Sequence, residues 1–109
     1  MSITWEDFEK VDIRVGTIIE AEAFLEAKNP SYKIKIDFGE LGVKKSSAQI
    51  TSLYTLETLI GKQIVAVINF PPKQIANLMS ECLVLGVVDG KDVSLLTVDL
   101  HVKNGLRIA

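Results

Sequence analysis

The residues that could perform chemistry are few and widely separated in this sequence. The chain has one cysteine, Cys82, and one histidine, His101. A single cysteine excludes an internal disulfide and a multi-cysteine metal site, and a single histidine excludes the two-histidine metal motifs. Gly39, Gly42 and Gly61 do not have the spacing of a phosphate-binding loop. We therefore expect no enzymatic activity, no metal site and no cofactor.

Two stretches have the side chains of a binding surface instead. Residues 44–49 combine ammonium groups, which suit phosphates, with hydroxyls and an amide, which suit sugars, base edges or peptide groups. Residues 69–81 combine an aromatic ring, two prolines, a lysine and a flexible thioether, which offer stacking, charge and adaptable apolar area. The predicted RNA- or peptide-binding residues are Lys44, Lys45, Ser46, Ser47, Gln49, Asn69, Phe70, Lys73, Met79, Ser80 and Glu81.

Each candidate also has a purely structural interpretation. Lysines on an edge strand deter aggregation, so residues 44–49 could be ordinary scaffold. Phe70 and Met79 could pack inside the bottom of a barrel. Asp12 and Arg14 lie two residues apart on one strand and could pair with each other. Cys82 precedes an apolar run, which predicts a small buried hydrophobe rather than a reactive thiol.

The charge is distributed unevenly along the chain. The net charge is −2 and the isoelectric point is about 5.3, which argues against bulk binding to nucleic-acid duplexes. Residues 1–27 contain seven acidic and two basic side chains, whereas residues 28–49 contain five lysines and two acidic side chains. A basic middle in an acidic chain indicates either a local binding face or the solvated outer faces of strands.

The elements that must position these side chains are mostly strands. Apolar residues alternate from Val11 to Ala23, and Gly16 lies mid-strand, where it permits a bend or a close backbone approach. Thr4 is predicted to cap a short helix that docks by Trp5 and Phe8. A helical turn falls within residues 51–62, and Asp89-Gly90 is a hairpin signal. Strands are predicted over residues 11–23, 32–38, 43–50, 63–70, 81–88, 93–98 and 106–108.

These elements predict one domain over residues 1–109. The fold class is all-β, a five-stranded Greek-key OB-fold barrel with a short N-terminal helix and extra C-terminal strands, because closure removes exposed strand edges. The longest apolar run, Cys82 to Val88, is too short to cross a bilayer, and acidic residues near the start argue against a signal peptide. We therefore expect a cytoplasmic protein with no membrane partner.

Six motifs follow one another across the chain, at residues 12–18, 33–39, 45–50, 59–67, 69–73 and 80–86. In these motifs the sequence resembles the EMAP-II-like tRNA-binding domain, and within it the stand-alone CsaA branch of secretion-related chaperones. Phe70-Pro71-Pro72 and residues 46–50 are the specific markers of that branch. The resemblance implies an OB fold, a homodimer, no enzymatic activity, and binding of tRNA, unfolded peptide or both.

Two departures from the family pattern favour the chaperone branch. Residues 80–83 read Ser-Glu-Cys-Leu where many tRNA-binding members have Ser-Glu-Gly-Met, and residues 28–31 replace a turn rich in histidine and proline.

The first hypothesis is a dimeric chaperone for unfolded or pre-export polypeptides. The alternative is a structure-selective tRNA-binding protein that uses the same face. A third is a module that recruits a larger enzyme. Apolar surface at Trp5, Phe8 and the C-terminal hairpin provides the predicted dimer contact.

Overall fold

The computed structural model describes residues 1–109 and contains a nearly closed barrel of five antiparallel strands, which confirms the predicted fold class. The strands lie in the order β3-β2-β1-β4-β7, and two short hairpins, β5-β6 and β8-β9, extend from them. None of the helices has the length and apolar character needed to cross a membrane. The elements are α1 Trp5–Glu9, β1 Ile13–Ala23, β2 Tyr32–Asp37, β3 Val43–Ala48, α2 Leu56–Leu59, β4 Gln63–Val67, β5 Lys73–Ile75, β6 Leu78–Ser80, β7 Leu83–Val84, β8 Gly86–Asp89 and β9 Asp92–Leu95, with a 3₁₀ turn at Gly39–Leu41.

The barrel core contains aliphatic side chains from β1, β2 and β4 packed around one aromatic ring, Phe38. Gly16 lies against this core: a Cβ atom added there would be 2.5 Å from Ile36 Cγ2 and 2.8 Å from the Phe38 ring. The close approach predicted at Gly16 is therefore confirmed. The buried cluster comprises Ile18, Ile34, Ile36, Phe38, Ile50, Leu59, Ile64, Ala66 and Cys82.

A β-bulge changes which face of β1 enters the core. Ile18 lies opposite Ile36, whereas Glu20 lies opposite Lys35, so Ile19 is the extra residue. Ile18 is 0% exposed and Ile19 is 42% exposed. The predicted uninterrupted alternation, which put Ile19 on the buried face, is wrong because a bulge shifts the two-residue period by one.

Several predicted strand boundaries also differ. The fourth strand ends at Val67 rather than Phe70, and residues 69–81 contain the hairpin β5-β6. The predicted strand 81–88 is divided into β7 and β8, and Gly86 backs closely onto the partner strand, where an added Cβ would meet Val93 at 2.6 Å. The predicted strand 106–108 is reduced to one bridge between Arg14 and Arg107.

Hydrogen bonds to β1 and to Gln63 of β4 hold the C-terminal segment against the barrel. The Gln63 side chain donates to the Val102 carbonyl at 2.7 Å and accepts from the Val102 amide at 3.2 Å. The Val15 amide donates to the Leu106 carbonyl at 3.1 Å and the Ile108 amide donates to the Ile13 carbonyl at 2.8 Å, so the segment lies along the edge of β1. Arg14 Nε donates to Asp12 Oδ1 at 2.6 Å, so the predicted local pair forms.

Helix α1 is capped as predicted but is not buried. Thr4 accepts from the Asp7 amide and Asp7 accepts from the Thr4 amide, which completes a capping box. Phe8 is half-buried, whereas Trp5 is 86% exposed. The predicted docking of Trp5 is therefore wrong within one chain, and its ring is left as exposed apolar surface.

Candidate polymer-binding surface

Strand β3 presents alternate side chains to solvent on the outer face of the barrel. Lys45 lies opposite Lys35 on β2, and Ser47 lies opposite Lys33. Lys45 and Gln49 are exposed, while Lys44 and Ser47 are half-buried. Ammonium and hydroxyl groups therefore follow one another along β3, and the amide of Gln49 lies one residue beyond its end.

Most of the basic charge beside β3 is already neutralised. Lys35 Nζ lies 3.2 Å from Glu20 Oε2, and Lys33 Nζ lies 3.4 Å from Glu22 Oε1. Lys33 Nζ also lies 5.4 Å from the centre of the Phe24 ring. Lys45 takes part in none of the ion pairs of the structure, so it carries the available positive charge of this face.

Glu81 and Lys45 join the two predicted binding stretches. The Glu81 amide donates to the Lys45 carbonyl at 2.8 Å, and Glu81 Oε1 accepts from the Lys45 amide at 2.9 Å. The carboxylate thus takes the place of a backbone carbonyl from a neighbouring strand. This pair closes the barrel between β3 and the segment that joins β6 to β7, and we call it the seam.

Two serines support the seam from inside the barrel. Ser46 is 1% exposed, and its hydroxyl donates to the Cys82 carbonyl at 2.9 Å. Ser80 Oγ donates to the same carbonyl at 3.3 Å. Burial raises the pKa of the Cys82 thiol to about 11, so the thiol is protonated near neutral pH. The prediction that Cys82 is a small buried hydrophobe is confirmed.

The segment after β4 is anchored by Asn69 and leaves its aromatic ring exposed. Asn69 Oδ1 accepts from the Asp12 amide at 2.9 Å, and Asn69 Nδ2 donates to the Lys10 carbonyl at 2.7 Å. Phe70 is 56% exposed and Met79 is 44% exposed. The alternative that packed these two side chains inside the barrel is therefore wrong.

The eleven predicted site residues thus divide into two groups. Ser46, Ser80, Glu81 and Asn69 use their side chains to hold the surface together. The other seven side chains are exposed or half-buried and take part in no side-chain hydrogen bond or ion pair of the structure: Lys44, Lys45, Ser47, Gln49, Phe70, Lys73 and Met79.

A cleft that the sequence did not predict opens beside the seam. Its volume is about 570 Å³, and it lies between residues 47–52, residues 83–84 and the β8-β9 hairpin. Lys28 and Lys91 line it, and no carboxylate does. Both lysines flank turn signals, Asn29-Pro30 and Asp89-Gly90, but nothing in the sequence places those two turns together. We call this space the seam cleft.

The chain belongs to a family of tRNA-binding domains. The family described as "Putative tRNA binding domain" matches residues 13–107, which confirms the family that the motifs predicted.

Similar proteins of known structure are described as CsaA chaperones. The chain is 52% identical to the chaperone CsaA of Bacillus anthracis, with a TM-score of 0.96 over 100% of both chains. It is 56% identical to the CsaA chaperone protein of Picrophilus torridus, with a TM-score of 0.93 over 99% of this chain and 100% of that one.

Curated relatives include much longer proteins. The chain is 37% identical to a methionine–tRNA ligase of Methanococcoides burtonii over 94 residues, which are 86% of this chain and 14% of the ligase. The chain therefore spans about a seventh of the length of that relative.

Proposed function

We propose that this protein is a non-enzymatic binding protein of the CsaA type, a chaperone that holds unfolded or pre-export polypeptides in the cytoplasm. The observation that carries the proposal is the likeness to two CsaA chaperones, at 52% and 56% identity over essentially the whole of both chains. The proposal assigns no bond-breaking step to any residue.

The exposed side chains suit an extended polypeptide. Phe70 and Met79 offer apolar area that would be removed from water by a client side chain, at about 25 cal/mol for each Å² buried. Lys45 and Gln49 offer donors, and Gln49 also an acceptor, for the polar groups of a client backbone. Such contacts are individually weak and tolerate many sequences, as a chaperone for varied clients requires.

The proposal includes a homodimer. No residue of α1 is buried, and Trp5, Val88 and Leu100 are all more than two-thirds exposed. A two-fold dimer would use the same surface on both subunits, and burial of these side chains in it would remove their apolar area from water. Two binding surfaces on one particle would raise the effective concentration of the second contact with a long client.

Sedimentation of the purified protein at micromolar concentration tests the dimer. We expect a dimer of the native chain and a shift toward monomer in Trp5→Ser. A native protein that sediments as a monomer would contradict the proposed assembly.

Aggregation of a chemically unfolded client tests the chaperone function. We expect the full chain to suppress light scattering at one dimer per client, and the double variant Phe70→Ala/Met79→Ala to lose most of that effect. Phe70→Tyr/Met79→Leu is the matched control, because it keeps the apolar bulk at both positions. A native protein that leaves aggregation unchanged refutes the proposal.

Binding of tRNA is the second candidate, and the match to the tRNA-binding family favours it. Lys44, Lys45 and Lys73 would neutralise phosphates, Ser47 and Gln49 would meet sugars or base edges, and Phe70 would stack on an unpaired base.

A filter-binding titration with total tRNA tests this candidate. With about three phosphate contacts, the logarithm of the association constant should fall with the logarithm of salt concentration with a slope near −2. Lys45→Ala should weaken binding, whereas Lys103→Ala, which removes an exposed lysine from another part of the surface, should not. Equal affinity in the native chain and Lys45→Ala would remove β3 from the tRNA site.

A further inference from the structure

Charged side chains of three neighbouring strands form two rows on the outer face of the barrel. In the first row Glu20 of β1 lies opposite Lys35 of β2, which lies opposite Lys45 of β3. In the second row Glu22 of β1 lies opposite Lys33 of β2. Directly opposed residues of a sheet have side chains on the same face, so each lysine of β2 has a carboxylate beside it.

The two carboxylates hold the lysines of β2 at ion-pair distance. Lys35 Nζ lies 3.2 Å from Glu20 Oε2, and Lys33 Nζ lies 3.4 Å from Glu22 Oε1. A charge and its close counter-charge largely cancel for a ligand that approaches from about a Debye length, which is about 8 Å at physiological salt. An approaching polyanion is therefore attracted by the one unpaired lysine of these rows, Lys45, rather than by three lysines.

These side chains line a single groove, which has a volume of about 520 Å³. Its charged groups are the three lysines and two glutamates of the two rows, and its other lining residues are apolar, among them Ile19 at the bulge and Ile60 after α2. A polymer that contacts Lys45 in this groove therefore lies beside both ion pairs. Without the glutamates the groove would have three positive charges to meet the phosphates of a nucleic acid.

We propose that Glu20 and Glu22 are specificity-determining residues that make this groove unfavourable for nucleic acid and leave it suitable for polypeptide. They cancel the charge of Lys35 and Lys33, and their carboxylates would repel the phosphates of a polyanion in the groove. An extended polypeptide of mixed charge is not repelled in this way, and the apolar lining can contact its side chains. The inference rests on the proposed chaperone function and identifies the residues that select the class of ligand.

The two ion pairs are not equivalent. The side chain of Lys35 is 48% exposed, whereas that of Lys33 is 26% exposed and its Nζ lies 5.4 Å from the centre of the Phe24 ring. Lys33 therefore keeps one partner when Glu22 is neutralised, but Lys35 becomes available to a ligand beside Lys45. We expect Glu20 to contribute more of the discrimination than Glu22.

Filter binding of total tRNA to the full chain, at several salt concentrations, tests the inference. Glu20→Gln/Glu22→Gln keeps the size of both side chains and releases both lysines. At about 50 mM salt we expect it to bind tRNA at least about tenfold more tightly than the native chain does. The slope of log association constant against log salt should be steeper by about 1.5, because each added phosphate contact contributes about 0.7–0.9. Glu20→Gln alone should give a larger gain than Glu22→Gln alone.

Glu40→Gln is the matched control for Glu20→Gln. Glu40 also pairs with a lysine, Lys103 at 3.9 Å, and neither residue lines the groove. Both substitutions release one lysine and change the net charge by the same amount. We expect Glu40→Gln to change tRNA affinity by less than about twofold.

The variant Glu20→Gln/Glu22→Gln/Lys33→Gln/Lys35→Gln is a second control. It removes both ion pairs and keeps the net charge of the native chain, so we expect tRNA affinity within about threefold of the native value. The Glu81 carboxylate, which bonds to the Lys45 amide, does not line the groove and is present in every variant.

Competition in the aggregation assay connects the titration with the client. We expect total tRNA to reverse the suppression of aggregation by Glu20→Gln/Glu22→Gln at a concentration that does not affect suppression by the native chain. Tighter tRNA binding that displaces no client would separate the glutamates from the client site and overturn the inference.

Three results of the titration also overturn the inference. They are equal tRNA affinity in the native chain and Glu20→Gln/Glu22→Gln, an equal gain in Glu40→Gln and Glu20→Gln, and tight tRNA binding by the variant that lacks both ion pairs. With any of these results, suppression of aggregation by the native chain leaves the chaperone function standing. If the native chain does not suppress aggregation, the chaperone function fails, and selection for polypeptide fails with it.

Discussion

Removal of the Glu81 carboxylate should loosen the barrel at its seam. In Glu81→Ala the Lys45 amide loses its acceptor at 2.9 Å, while the bond from the Glu81 amide to the Lys45 carbonyl is retained. A hydrogen bond to a charged group contributes about 1.5–3 kcal/mol where water is excluded. Lys45 is exposed and water replaces part of the lost bond, so we expect a loss of about 1 kcal/mol. For a chain of this size that loss lowers Tm by about 4 °C.

Thermal unfolding followed by circular dichroism measures the change, and amide exchange at Lys45 locates it. Glu81→Gln keeps an oxygen acceptor at the same reach and should recover about half of the loss. Glu40→Ala is the matched control, because its side chain is 90% exposed and its one ion-pair partner lies at 3.9 Å. Unchanged Tm and unchanged exchange at Lys45 in Glu81→Ala would refute the assignment of this carboxylate as the group that closes β3.

Three further substitutions probe the core, a turn and the buried thiol. Gly16→Ala should lower the free energy of unfolding in urea by about 1–3 kcal/mol, because its Cβ would overlap Ile36 and Phe38. A loss below about 0.5 kcal/mol is within the range of an ordinary surface substitution and would contradict the tight contact. Ala76 has φ +50°, and Ala76→Gly should raise stability by up to about 1 kcal/mol by relieving that strain; a lower Tm would contradict this. The thiol of Cys82 has a pKa of about 11, above the value of 9.0 for an unperturbed thiol, so the unfolded chain loses this proton at a lower pH than the folded protein. The free energy of unfolding should therefore be unaffected by this thiol below pH 9 and should fall by roughly 2 kcal/mol between pH 9 and 11. Cys82→Ala should lack this fall. If the free energy of unfolding of the native chain and of Cys82→Ala changes equally between pH 9 and 11, the assignment of the fall to this thiol is refuted.

The candidate polymer-binding surface shows how much of a site depends on contacts between distant parts of the chain. The stretches 44–49 and 69–81 were recognisable because their residue types are unusual for strands and loops. Which side chains face a ligand was not recognisable. Ser46 resembles Ser47 in the sequence, yet Ser46 points into the barrel, where its hydroxyl is satisfied by the Cys82 carbonyl, 36 positions away. Similarly, the two lysines of the seam cleft are 63 positions apart and meet only because the β8-β9 hairpin lies beside the β1-β2 loop.

The sequence by itself determined the strand-rich character of the chain, the Asp89-Gly90 hairpin and the family. Short-range patterns predict these features: alternation of apolar residues, turn residues and ordered motifs. Only the tertiary structure decided that Ile18 rather than Ile19 enters the core, that residues 73–80 form a hairpin, and that the barrel closes through one carboxylate. Bulges and closure are set by the pairing of distant strands, because a one-residue shift in register moves every later side chain to the other face of the sheet.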